Sequence, residues 1–233
     1  MAKIKTGIFL VLLLLSFSFA RPTLIIIDAS GSMEDTMDSG MTRIEAAKIA
    51  AKELVDGATD EVALMVYTDC DWDGNPNTGP IHVVVDFTMD KQLLKQEIDA
   101  ITPDAGTPIA KSIEEGASYV GSTGRNAGIV LLTDGEETCD YLYPEELAQV
   151  AANNGVEIIN IVGFQLYDDY VKQDMEAVAV AGGGSYYDAQ DLATLKTSMK
   201  QAYSSASGSS SSCCGGPVFA LAAAGAIALS RRH

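Results

Sequence analysis

Positive charge is scarce in this chain. Its 233 residues hold 15 Lys and Arg against 32 Asp and Glu, a formal net charge of -17 at pH 7. Phosphate backbones are bound by clustered Lys and Arg, so the imbalance argues against a nucleic-acid partner. It suits divalent cations or basic partners instead. Histidine is almost missing, with two in the chain. Of these, His82 falls inside an apolar strand, where it is read as packing or capping a sheet edge. Neither histidine lies near enough in sequence to the cysteines to complete a structural zinc site. Long apolar runs are missing too. Ile8 to Leu15 and Val218 to Ser230 are both shorter than the roughly 20 residues of a membrane-spanning helix.

Several catalytic signatures are also absent. The chain has no Gly-x-x-x-x-Gly-Lys-Ser/Thr loop, and Gly-x-Ser-x-Gly is not met around Ser30 or Ser32. An Asp28 that accepted phosphate would want a second Asp two residues on, where Ser30 stands. A hydrolase or phosphoryl-transfer enzyme is therefore the weakest of the function classes. What is present is core material: 47% of the residues are hydrophobic and 20% charged, which suits one folded domain.

Both ends read as processing signals. Lys3 and Lys5, the apolar run from Ile8 to Leu15 and the small-residue site Ser18-Phe19-Ala20 have the layout of a secretory signal peptide over residues 1–20. An uncleaved N-terminal anchor is the alternative. A domain over 21–206 follows, then a Ser-, Cys- and Gly-rich spacer over 207–217 that includes Cys213-Cys214-Gly215-Gly216-Pro217. The apolar tail 218–233 closes on Arg231-Arg232 before the final His233. That order resembles prokaryotic C-terminal sorting tails. The resemblance implies a cut tail and a protein left on the envelope, with Cys213 or Cys214 as a candidate for a lipid. A plain hydrophobic tail anchor is the alternative, and the tail is the expected membrane contact in either case. Cys70 and Cys139 are the remaining cysteines, and an even pair in an exported chain is read first as a disulfide.

Between the ends, strands alternate with helices. Thr23 to Asp28 is a continuous apolar run ending in a polar turn, as a strand buried on both faces should be. Ile44, Ala47, Ala51, Leu54 and Val55 recur at helical spacing up to Gly57. Further strands are predicted over Glu61–Tyr67, Ile81–Phe87, Gly128–Thr133 and Glu157–Gly163, with a short one at Ser185–Asp188. Helices are predicted over Lys91–Ala100, from Pro108 onward, and over Pro144–Asn153, Asp169–Ala181 and Leu192–Tyr203. This pattern calls for an α/β fold: a doubly wound, mainly parallel sheet with helices on both faces. The strands around Tyr67 and Ile81, joined by a loop, make one antiparallel edge pair.

Ligands of such sheets sit at the carboxyl ends of the strands. Three segments arrive there: Asp28-Ala29-Ser30-Gly31-Ser32, Gly106-Thr107-Pro108 and Thr133-Asp134-Gly135-Glu136-Glu137. Taken singly, each is explained by capping and turn chemistry. Together they offer two carboxylates and three hydroxyls, the oxygen donors that hard divalent cations prefer. Asp28, Ser30, Ser32, Thr107 and Asp134 resemble the metal-ion-dependent adhesion site of von Willebrand factor A domains, and the likeness runs from about Thr23 to Tyr203. By that resemblance, Ser30 and Ser32 bind one Mg2+ (or Mn2+ or Ca2+) directly. Asp28 and Asp134 hold metal-bound waters, or one of them binds the metal itself. Thr107 binds directly in the liganded state and through water otherwise. The open position would take a Glu or Asp of a protein partner. The family resemblance also implies that Cys70 pairs with Cys139.

A second cation is suggested by Asp69, Asp71, Asp73 and Asn75, whose Asp-x-Asp-x-Asp-Gly opening matches a calcium loop. Pro80 stands where that loop would carry its bidentate Glu, and a solvated acidic turn is the other reading. Trp72 in the same loop is either a contact or an anchor. Tyr167, Asp168 and Tyr170 are expected on the rim of the metal face. The function expected is an exported binding domain on a prokaryotic envelope. The alternative is an assembly module whose metal site is vestigial.

Overall fold

The computed structural model of the chain describes residues 20–71 and 79–209. The expected leader up to residue 19, the tail from residue 210 and loop residues 72–78 lie outside them. The elements run β1 (Thr23–Asp28), a 3-10 turn (Gly31–Glu34), α1 (Arg43–Gly57), β2 (Val62–Tyr67), β3 (Ile81–Thr88), α2 (Lys91–Ala100) and α3 (Ile109–Thr123). They continue through β4 (Ala127–Thr133), α4 (Pro144–Asn153), β5 (Val156–Phe164), α5 (Asp169–Ala181), β6 (Tyr186–Ala189) and α6 (Leu192–Ser207).

The strands form one sheet in the order β3-β2-β1-β4-β5-β6. Every pairing is parallel except β2 with β3, where Tyr67 faces Ile81. The expected mainly parallel sheet with one antiparallel edge strand is what the chain adopts.

Alternation along the central strands explains why the sheet is wound on both sides. Ile25 and Ile27 of β1 join a core with Ile44 and Leu54 of α1, Ile98 of α2 and Met199 of α6. Leu24 and Ile26 point the other way, into a core with Ile113 of α3, Leu147 of α4 and Met175 of α5. All six residues of β1 are buried, and each fully buried Leu or Ile side chain contributes about 1.5–3 kcal/mol. A strand apolar on both faces is stable only where helices cover both.

The helices start where local chemistry allows. Thr42 and Glu45 form a reciprocal capping box on α1, and Asp90, Asp168 and Asp191 cap α2, α5 and α6. Most strands and α6 shift by a few residues at one end or both from the sequence reading, and the start of α3 shifts too. Pro108 is the N-cap of α3, which begins at Ile109. Proline pushes the residue before it out of helical geometry, and Thr107 is tied besides to Thr138. After Ser30 the chain makes a 3-10 turn before reaching α1.

One polar residue is sealed inside the sheet. Asn160 of β5 is fully buried; its Nδ2 donates to Ala202 O at 2.8 Å and its Oδ1 accepts from Ser185 N–H at 2.9 Å. It therefore joins α6 to the entry of β6. Asn160→Ala would leave the Ser185 N–H without its partner, though Ala202 O keeps its place in the α6 ladder, and is expected to lower stability by about 1–3 kcal/mol. Urea denaturation measures this, and an unchanged midpoint would contradict it.

Candidate metal site

Three strand ends meet at one edge of the sheet: Asp28 of β1, Tyr67 of β2 and Thr133 of β4, all fully buried. Parallel register sets Asp28 beside Tyr67. Past Asp28 the chain turns sharply. Asp28 Oδ1 accepts the Ser30 N–H at 2.8 Å, and the Met33 N–H donates to Ser30 O at 3.1 Å. The turn chemistry read from the sequence is thus real, and it coexists with the site. Asp28 Oδ2 accepts from Thr133 Oγ1 at 2.8 Å and from the Asp134 N–H at 3.4 Å. Ser30 Oγ and Ser32 Oγ lie 3.1 Å apart, and Ser32 Oγ donates to Asp134 Oδ1 at 2.7 Å.

Thr107 arrives from the loop before α3, which is laced to the ends of β1 and β2. The Asp104 N–H donates to Ala29 O at 2.9 Å and the Gly106 N–H to Thr68 O at 3.0 Å. Thr107 is then gripped at two points by Thr138: its N–H donates to Thr138 Oγ1 at 3.0 Å, and its carbonyl accepts the Thr138 N–H at 3.2 Å. Thr107 Oγ1 and Ser32 Oγ flank Gly135, standing 3.7 and 3.8 Å from where a Cβ there would be. All five residues singled out from the sequence therefore come together.

Burial dominates the electrostatics. It pushes the Asp28 carboxyl above its usual range, with hydrogen bonds from Ser30 and Thr133 partly offsetting it. Asp134 is pushed up to about 6, first by burial and then by the charge of Asp28, while Ser32 and Arg43 oppose the shift. A folded-state pKa above the unfolded one means that the folded protein holds extra protons between the two values. The stability tied to Asp134 is thus fully present below pH ~4 and lost as pH rises through about 6, and Asp28, also raised, acts in the same direction.

The residues fit a divalent cation on three observations. Two carboxylates and three hydroxyls converge, an oxygen set suited to a hard cation. The carboxylates are buried side by side, where charge of opposite sign is needed. Among the described residues the Tyr67 hydroxyl makes no hydrogen bond of ordinary geometry, lying near Asp28 and Thr133 without a well-aligned partner, and the waters of a hydrated ion would satisfy it. Among the described residues no three His, Cys, Asp or Glu side chains form a ligand cluster, so the hydroxyls are essential to any such site.

Cys70 and Cys139 form a disulfide with 5.4 Å between Cα atoms. It joins the loops after β2 and β4. Gly106 packs directly on Cys70, where a Cβ would come within 2.7 Å of Sγ. The bridge adjoins Thr138 and so braces the segment that presents Thr107. Of the suggested calcium loop, Asp73, Asn75 and the neighbouring Trp72 lie outside the described residues. Asp71 is exposed, and Asp69 Oδ1 accepts the Cys70 N–H at 2.6 Å. His82 lies on the edge strand β3 with Nδ1 bonded to Gly79 O at 2.8 Å. Tyr167 and Tyr170 are well exposed, whereas Asp168 is the N-cap of α5.

Sequence reasoning missed three residues. Thr133 holds Asp28, and Glu137 accepts the Ala110 N–H of α3 at 2.6 Å and the Cys139 N–H at 2.8 Å. Arg43 is bonded to Asp134 at 2.8 Å. One signal could have found Arg43: it is a cation in the first turn of a helix, where the macrodipole disfavours positive charge.

In metal-free buffer between pH 4.5 and 7, the wild type should lose stability with rising pH relative to Asp28→Asn, which removes one of the paired charges. Parallel pH curves for the two in denaturant melts would refute the electrostatic account. Reducing the disulfide should cost about 2–5 kcal/mol, read as a lower urea midpoint with dithiothreitol, and equal midpoints would show that the bridge is idle.

Comparison with known proteins places this apex in context. Residues 23–137 match the family model described as the von Willebrand factor type A domain. The uncharacterised protein YwmC of Bacillus subtilis is 28% identical over 175 residues, covering 71% of this chain and 75% of that protein. Among solved structures, a von Willebrand factor type A protein from Catenulispora acidiphila superposes with a TM-score of 0.57 at 22% identity. That match covers 79% of this chain and 42% of the longer one. The vWF domain of the type V pili tip protein Mfa5 from Porphyromonas gingivalis superposes with a TM-score of 0.62 at 16% identity, covering 80% of this chain and 94% of that domain.

Proposed function

We propose, from the premise that the chain carries a von Willebrand factor type A domain, that it is an exported binding module of a prokaryotic cell envelope. In this reading it takes hold of a Glu or Asp on a protein partner through one divalent cation, Mg2+ or else Mn2+ or Ca2+. The observation that supports this most is the convergence of Asp28, Ser30, Ser32, Thr107 and Asp134 at the strand ends, linked by hydrogen bonds of 2.7–3.1 Å among Asp28, Ser30, Ser32, Thr133 and Asp134.

Ser30 and Ser32 would hold the ion through their hydroxyls, Asp28 and Asp134 mainly through water, and Thr107 either way. A bound cation supplies a positive centre for an anionic oxygen from outside. The chain's own residues prepare for it. Thr133 and the Ser30 backbone orient Asp28, Thr138 fixes Thr107, and the disulfide clamps the loops around them. A binding role rather than catalysis agrees with the missing hydrolase and nucleotide signatures. Export agrees with the leader pattern and the disulfide, and a place on the cell surface agrees with the pilus tip protein among the structural neighbours.

Calorimetric titration of the purified chain with Mg2+, Mn2+ and Ca2+ tests this reading. One ion should bind with an affinity on the order of micromolar to millimolar, and Asp28→Ala and Ser30→Ala should abolish binding without unfolding the protein. If the variants titrate like the wild type, the ion is elsewhere or missing. The chain would then be a scaffold of the same fold.

A further inference from the structure

We propose that Arg43 makes the apex selective for an anionic ligand, by weakening its hold on the cation and leaving the loaded site one negative charge short. The inference rests on the metal-site reading above. Arg43 is the first residue of α1, at the positive end of the helix dipole, and is held there by four groups. Its Nη1 donates to Asp134 Oδ2 at 2.8 Å and to Ser32 O at 3.3 Å, and lies 3.4 Å from Asp35 Oδ2. Its Nε donates to Gln165 Oε1 at 3.1 Å. The guanidinium side chain is 17% exposed, and the Asp134 side chain is fully covered.

Gln165 completes the clamp from the end of β5. Its Nε2 donates to Gln190 O at 3.1 Å and its N–H to Ala189 O at 2.7 Å. It is the one non-glycine among the described residues with positive φ, 54°. Backbone in that region is costly for a side-chain-bearing residue and persists where the surroundings over-determine it. Here the surroundings aim an amide at Arg43.

The charge count gives Arg43 its meaning. Asp28 and Asp134 bring two negative charges and Arg43 one positive. A divalent cation added to that set leaves one net positive charge, which a single carboxylate from outside neutralises. With a neutral residue at position 43, the cation alone would neutralise the site, and an anion would gain far less by binding. Asp35 alters the count little, because its side chain is 67% exposed and screened by water. Loss of the charge should therefore move the two affinities in opposite directions: tighter for the metal, weaker for the anion. A residue that merely props Asp134 in place would weaken both together.

The test uses the full chain, Mn2+ as the metal and acetate as the carboxylate probe, followed by calorimetry and by the water-proton relaxation of bound Mn2+. Arg43→Gln should bind Mn2+ roughly tenfold more tightly and acetate roughly tenfold more weakly than the wild type. Arg43→Lys keeps the charge and should match the wild type in both. Weakening of both affinities in Arg43→Gln, or an unchanged acetate affinity there, overturns the proposal. So does a loss of acetate binding in Arg43→Lys, and that comparison decides the matter alone if Arg43→Gln does not fold. A wild type that binds no Mn2+ sinks the metal-site reading itself. Mn2+ binding with the wrong response at position 43 sinks only the role of Arg43.

Discussion

The structure at the apex depends on two carboxylates being held together out of water. Asp28 and Asp134 end neighbouring parallel segments, and the pairing of β1 with β4 brings them within one hydrogen-bond network. In an apolar surround their charges repel, so each must be answered by donors or by positive charge. The nearby residues follow from that need. Ser30, Ser32 and Thr133 donate to the carboxylates, and Arg43 supplies a guanidinium. An arrangement that raises the energy of the ionised protein is tolerable where a bound cation would relieve it, and this is the physical content of the proposed function.

Holding such a pair in place calls for a rigid frame. The central strand is buried on both faces and packs two helical layers, so the position of Asp28 is set by fully buried backbone. Thr107 stands on a loop instead. That loop is laced to the ends of β1 and β2, and the two-point grip of Thr138 and the Cys70–Cys139 bridge beside it hold it further. Glu137 serves the same end by capping α3 from the far side of that loop. The apex is thus made of one part positioned by the core and one part positioned by cross-links.

Much of this was legible in one dimension. The unbroken apolar run of β1, the helical spacing of Ile44, Ala47, Ala51 and Leu54, and the apolar strands between helices led to the observed sheet with small boundary shifts. The five oxygen-bearing residues could be picked out because each falls just past a strand or just before a helix, and such positions share an edge in a parallel sheet. Tertiary contacts displaced the local expectation at Pro108, because Thr107 is fixed from outside, and they added a 3-10 turn after the Asx turn at Asp28 that no sequence pattern had indicated.

What the sequence determined by itself was everything carried by period and by short-range chemistry: which segments pair or coil, where helices are capped, and which residue types could serve a hard cation. Only the tertiary structure decided how charge is balanced at the apex. Arg43, Gln165, Asp134 and Ser32 are far apart along the chain, and no periodic pattern links a cation in the first turn of one helix to a carboxylate past a distant strand. Their meeting depends on the register of the strands and the packing of α1 against the sheet. Electrostatic energy depends on distances in space, which periodicity does not encode.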